Sequence, residues 1–315
     1  MPSASDLPQM TGLPFVTDGG IETTLIFEMG FDLPLFAAYP LLESDAGRDA
    51  FRQYYGHYLQ IAQCNGLGFV LESPTWRCSH GWGAKLGHDA ERIRAFNHAA
   101  IVLMEELRAG QSGGTPMVIS GNIGPAGDGY RPEEMLTAEA ARAYHTAQIE
   151  AFAETAADMV TAVTITHTGE AAGVVLAAKA AGLPCAIAFT TETDGRLPSG
   201  ETLAEAIETV DALTGGGPVY YMINCAHPDH FSGALPNGLT AGRIRGIRAN
   251  ASRLSHAELD EAEELDGGDP HELAQDYVRL TGLLPNLHIF GGCCGTDYRH
   301  VSCIAKAISG ELSAA

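Results

Sequence analysis

Apolar positions along the chain fall into two alternating rhythms. Short runs rich in β-branched and aromatic residues are separated by longer stretches rich in Ala, Leu and Glu. The runs are Pro14–Gly20, Gly68–Trp76, Met117–Pro125, Met159–Ile165, Cys185–Thr191, Val219–Ala226, Ile244–Ala251 and Leu287–Thr296. Several are apolar at every position, the mark of parallel strands covered on both faces. Between the first two, Phe51, Tyr55, Tyr58 and Ala62 recur at the spacing of one helical face. Pro132 with Glu133 and Glu134 predicts the start of a helix reaching about Asp158, because proline and acidic residues favour a first turn. Glu201–Leu213, His271–Leu280 and Tyr298–Ser309 predict later helices. Eight strands alternating with helices predict an α/β fold closed as a (β/α)8 TIM barrel, with an open doubly wound sheet as the alternative. The arginine-bearing seventh run fits this pattern least well. The acidic excursion Leu254–Pro270 reads as a surface loop with some helix.

Composition narrows the partners. The 315 residues suffice for one barrel, and no gap reads as an interdomain linker, so one domain over 1–315 is expected, with 1–12 as a flexible tail. Lys plus Arg number 18 against 39 acidic residues, a formal charge of −21 that disfavours nucleic acid. No apolar run reaches the roughly 20 residues of a membrane span. Met1–Met10 is polar and acidic, unlike a signal peptide. Seven cysteines are an odd number, too sparse for a disulfide scaffold, which suggests a reducing, cytoplasmic setting. The sequence is compatible with either a monomer or a homo-oligomer.

Chemistry gathers at the carboxyl ends of the expected strands: Asp18-Gly19-Gly20, Glu72-Ser73, Asn122 with Gly124, Asn224-Cys225, Asn250 and Cys293-Cys294. In a barrel these ends share one mouth. Cys225 ends the sixth strand and the Cys293-Cys294 pair the eighth, a span that one metal ion could bridge. Adjacent strand residues point to opposite faces, so both thiols of the pair converge only where the strand has broken. Gly291, Gly292 and Gly295 offer the backbone freedom for such a break. A vicinal disulfide would be strained. Three thiolates favour zinc, at about 2.3 Å with tetrahedral geometry, and three protein ligands leave a position open, as in catalytic sites. Three thiolates on Zn2+ give a net charge of −1, a poor Lewis acid for hydrolysis but a suitable holder of an alkylatable thiolate.

Plainer readings stand beside these. Cysteine is often buried, and Cys64, Cys78, Cys185 and Cys303 read as packing residues; packing is also the alternative for the other three. Gly121–Gly129 matches neither a dinucleotide fingerprint nor a Walker loop. Asp18 at the end of an apolar strand needs a partner, either a ligand or nearby backbone. His167, His227 and His230 read as loop histidines rather than catalytic bases. Trp76 and Trp82 either wall a substrate site or pack their loop.

The strings TDGGIETTL, GNIGPAGDGY, FTTETDGRLPSGETLAEAI, INC ending at Cys225, and GGCCGTD run from Asp18 to Asp297. Together they resemble the zinc-dependent homocysteine S-methyltransferase family, which includes betaine- and S-methylmethionine-dependent enzymes. The resemblance implies a (β/α)8 barrel. It also implies Zn2+ on Cys225, Cys293 and Cys294, joined by the sulfur of homocysteine. It places Asp18 among the residues that hold homocysteine, and Asn224 in or behind the pocket. The reaction implied is methyl transfer from a small onium donor of the S-methylmethionine, betaine or S-adenosylmethionine type, giving methionine. Trp76, Tyr39 or Tyr130 would then offer aromatic faces to the cationic donor.

One position departs from the family pattern. The family's glutamate that grips the homocysteine amino group falls at Val163 here, which can neither accept a hydrogen bond nor balance an ammonium charge. Either Glu22, Glu72 or Thr164 takes that duty, or the enzyme methylates or demethylates a different thiol. A zinc hydrolase and a non-catalytic zinc-stabilised barrel are the alternatives from other classes.

Overall fold

The computed structural model describes residues 7–111, 113–129, 135–262 and 264–312. Eight parallel strands close into a barrel in sequence order: β1 (Phe15–Val16), β2 (Gly68–Glu72), β3 (Met117–Ile123), β4 (Met159–Ile165), β5 (Cys185–Phe189), β6 (Tyr221–Asn224), β7 (Ile244–Ala249) and β8 (Ile289–Gly292). Val16 pairs with Phe69 on one side and Phe290 on the other, which completes the ring. The expected (β/α)8 architecture is therefore the one observed, including the arginine-bearing seventh strand.

Strand alternation divides the core in two. Phe15, Val70, Val118, Met159, Val163, Ala188, Met222 and Ile289 fill the lumen, while Val16, Phe69, Leu71, Ile119, Val160 and Ile187 face the helices. The helix Asp45–Asn65 is started by the Ser44 side chain, which accepts from Gly47 N, and stopped by left-handed Gly66. It buries the anticipated face of Phe51, Tyr55, Tyr58 and Ala62.

Two expectations are corrected. The helix assigned to begin at Pro132 runs Ala138–Ala153, because the Thr137 hydroxyl accepts from Ala140 N and caps it there; Pro132, Glu133 and Glu134 lie outside the described residues. The tail anticipated over the first dozen residues is in place from Leu7. Pro8–Met10 forms a tight turn, Leu7 packs into the lumen, and His288 bonds the Gln9 carbonyl at 2.8 Å. This segment packs across the amino end of the barrel, and the cavity described below opens at the opposite end. The acidic excursion is a surface loop with some helix, as expected: it carries the helix His256–Asp260, and its Leu259, Asp260, Leu265 and Asp266 also line the mouth. Gly291 and Gly292 end β8 just before the Cys-Cys pair, and their lack of a side chain also serves close packing: a Cβ on either would fall 1.9 Å from a threonine hydroxyl oxygen, that of Thr17 or Thr296.

Among the described residues, no helix is long and apolar enough to cross a membrane.

Candidate active site at the barrel mouth

A cavity of about 550 Å³ opens at the carboxyl ends of the strands. It is lined by Asp18, Glu22, Glu72, Trp76, Asn122, Thr164 and Asn224, all expected to bind substrate, and by Cys225, Cys293 and Cys294. Val163 lines it too.

β6 ends at Asn224, and Cys225 turns out of the strand with φ of 56°. β8 ends at Gly292, so the strand has already broken at the Cys-Cys pair, and Gly295 completes the turn with φ of 77°. Gly20 lets the β1 loop approach: a Cβ there would sit 2.5 Å from the Cys293 carbonyl oxygen. As a result the three sulfurs lie within 4.8 Å of one another, with Cys225 Sγ 3.6 Å from Cys294 Sγ. Hydrogen bonds from Cys225 and Cys294, then the Arg248 charge, hold Cys293 well below the ordinary thiol range, while its bonds with Cys293 and Cys294, and burial, keep Cys225 in its thiol form and push it up. No disulfide forms among the seven cysteines. Among the described residues, no fourth His, Cys, Asp or Glu joins this trio. Three soft donors clustered at an open cavity fit a zinc ion with one coordination position left for a substrate.

Asn224 stitches β6 to β4. Its Oδ1 accepts from Thr164 N at 2.7 Å, and its Nδ2 donates to the Thr164 hydroxyl at 2.9 Å and toward Cys293 Sγ at 3.8 Å. Thr164 takes the left-handed conformation, with φ of 59°. These two residues thus position the strand ends and the sulfur group.

Asp18 lines the cavity and is also tied to two protein side chains. It is 2% exposed, with Oδ1 held by Arg248 Nη2 at 2.6 Å and Oδ2 by the Tyr54 hydroxyl at 3.0 Å. Burial raises its pKa, opposed by Arg248 and Tyr54. Both oxygens therefore have protein partners, and these are distant side chains rather than the nearby backbone weighed from the sequence. Arg248 was missed from sequence. Its Nε donates to the Gly292 carbonyl at 3.1 Å, and its Nη1 has no hydrogen-bond partner. The signal was available, since a charge inside an apolar strand requires a counter-ion at matching height. β8 lies between β7 and β1, and Gly292, which donates to the Asp18 carbonyl, is registered with Ala249.

Two further carboxyls face the cavity. Burial pushes Glu22 up to about 7, reinforced by the charge of Cys293. Burial also pushes Glu72 up to about 7, against the pull of Arg248 and of hydrogen bonds with Ser120 and Thr161.

Aromatic walls differ from expectation. Trp76 and Trp82 line the cavity, but the Arg77 guanidinium lies 4.0 Å from one ring centre and 3.6 Å from the other. Tyr39 is buried away from the cavity, bonded to His88 Nδ1 at 2.9 Å and packed on Phe96, so it offers no face to a donor. Tyr130 lies outside the described residues. Sequence reading missed Phe27, Leu35 and Phe36, apolar residues of the β1 loop that line the outer cavity. His167 and His227 cap helix starts through Nδ1, each at 3.2 Å, and His230 bonds the Arg253 carbonyl at 2.9 Å. That fits their reading as loop histidines.

Comparison with known proteins now adds to this geometry. No curated protein matches the chain by sequence. Solved structures of the homocysteine methyltransferase MmuM from Escherichia coli are similar in fold. The oxidised form gives a TM-score of 0.76 at 18% identity, covering 98% of this chain and 99% of that one. The metallated form gives 0.73 at 19% identity, covering 94% and 96%. The family model described as homocysteine S-methyltransferase matches residues 15–308. This chain belongs to the homocysteine S-methyltransferase family and is a methyltransferase.

Proposed function

We propose that this enzyme moves a methyl group from a small onium donor to the thiol sulfur of homocysteine, giving methionine, with Zn2+ held by Cys225, Cys293 and Cys294. The observation that carries this reading is the convergence of three thiols within 4.8 Å at the open end of the barrel. Bound there, zinc would favour the deprotonated form of an arriving thiol and hold its sulfur toward the cavity. Asn224 and Thr164 fix the strand ends that carry the trio, and Arg248 supplies the positive charge beside it. The cavity opens at the mouth, which gives both substrates their route in, and about 550 Å³ has room for two small molecules together.

The chemistry is a displacement. The bond from the methyl carbon to the donor sulfur or nitrogen breaks, and its electrons stay with the donor, which leaves as a neutral thioether or amine. A methyl–sulfur bond forms on the acceptor, whose proton has gone to solvent. Holding the two reactants in line is what the cavity contributes. Phe27, Leu35, Phe36 and Trp76 offer the donor an apolar wall, and Glu22 and the acidic surroundings favour a cationic one. Because the site needs its cysteines as thiols, a reducing, cytoplasmic setting suits it.

The test is mass-spectrometric detection of methionine from homocysteine with S-methylmethionine, betaine or S-adenosylmethionine as donor. Methionine formed from one of these supports the reading. Turnover of another thiol, orders of magnitude faster than of homocysteine, would favour the second reading, a different acceptor, for which Val163 is the warrant.

A further inference from the structure

Val163 leaves β4 without a carboxylate in the mouth, and a homocysteine ammonium group buried there needs hydrogen-bond acceptors and a counter-charge. The two preceding strands supply both. Glu72 ends β2 and is 2% exposed; Ser120 and Thr161 hold its carboxylate, yet its Oε2 has no hydrogen-bond partner. Asn122 on β3 is 9% exposed, and its Oδ1 also has none. Glu72 is registered with Ser120, and Asn122 lies two residues further along β3, on the same face. Both line the cavity that holds the three cysteines. Leaving a buried acceptor unmatched costs stability, so such atoms mark where a ligand donor belongs.

Three neighbouring acceptors, Asp18, Asn224 and Thr164, are engaged by protein partners. Asp18 is held at both oxygens by Arg248 and Tyr54. Asn224 and Thr164 bond each other. Glu22 lies in the helical turn Ile21–Thr23 after β1, not at a strand end next to Glu72.

We propose that Glu72 and Asn122 form the subsite for the ammonium group of the acceptor, moving from β4 to β2 the charge that Val163 cannot provide. The inference rests on the homocysteine reading above. It makes Glu72 a specificity-determining residue: the ammonium donates to Glu72 Oε2 and Asn122 Oδ1 while the thiol reaches toward the cysteines.

Calorimetric titration of the zinc-loaded full chain with two thiols tests it. L-homocysteine carries the amino group; 4-mercaptobutyrate has the same chain, thiol and carboxylate without it. The wild type is expected to bind L-homocysteine about tenfold or more tighter, the worth of a charge-assisted bond. Glu72→Gln should bring the two affinities to within about threefold while leaving that for 4-mercaptobutyrate unchanged, and Asn122→Ala should lose part of the ratio. Glu22→Gln should keep the ratio. A Glu72→Gln protein that retains the full preference, or that weakens both thiols alike, overturns the proposal, as does loss of the preference in Glu22→Gln alone. If the wild type binds neither thiol, the homocysteine reading fails and the subsite fails with it, a pattern distinct from a preserved ratio.

Discussion

The floor and the mouth of this barrel are built from the same strands yet differ in kind. β2 gives Val70 to the floor and Glu72 to the mouth; β3 gives Val118 and then Asn122; β8 gives Ile289 and, just beyond its end, Cys293. The floor is apolar, and the Leu7–Met10 segment plugs it. The mouth holds buried carboxyls, thiols, an arginine and unmatched polar atoms, and it has left-handed backbone at Thr164 and Cys225. Stability resides where apolar layers interdigitate, and chemistry resides where the same strands run out. The mouth's burdens persist because the rest of the barrel supports them.

Substitutions can break this contrast, beginning with the largest effect. Cys225→Ala or Cys294→Ala should lower methyl transfer on the order of a hundredfold or more and remove bound zinc, with circular dichroism of a folded barrel unchanged. Asp18→Ala should cost about 3–5 kcal/mol in urea unfolding, because the Arg248 charge would be left buried without its partner. This is the one mouth position expected to behave as the floor does. In the floor, Met159→Ala should cost about 2–5 kcal/mol, with homocysteine affinity unchanged.

The smallest effect has a pH signature. Burial raises Glu72 to about 7 from an ordinary value of 4.5, so the folded state favours its protonated form. That contribution is complete below the ordinary value and is lost as pH rises through 7. Glu72→Gln, which removes an ionised carboxylate at pH 8, should therefore stabilise the ligand-free protein there by on the order of 2 kcal/mol, a gain that fades toward pH 5. Thermal melts at the two pH values measure it. A gain of equal size at both would contradict this reading of the mouth.

Much of this molecule was legible in its sequence. Strand order and the converging cysteines follow from local signals: apolar runs fix the strands, and a Cys-Cys pair at a strand end followed by glycine fixes the break. Asp18 was placed in the mouth correctly, but its partner was not, because Arg248 lies 230 residues away and their meeting depends on the register of β7, β8 and β1. Tyr39 looked like a free aromatic face, yet it packs on Phe96 under the loop; ring chemistry says nothing of which side of a loop a residue takes. The amino-terminal segment looked like a tail because few apolar residues mark it, although Leu7 reaches into the lumen with Met10 and Leu13 packed against the same cluster, and His288 ties down the backbone beside it.

The most direct test is the sulfur coordination of zinc measured by X-ray absorption on the purified enzyme, without and then with homocysteine. Three sulfur neighbours rising to four when the thiol is added is the predicted result. Fewer than three sulfurs at the start, or a count that homocysteine leaves unchanged, would contradict the proposal that Cys225, Cys293 and Cys294 present the metal to the acceptor.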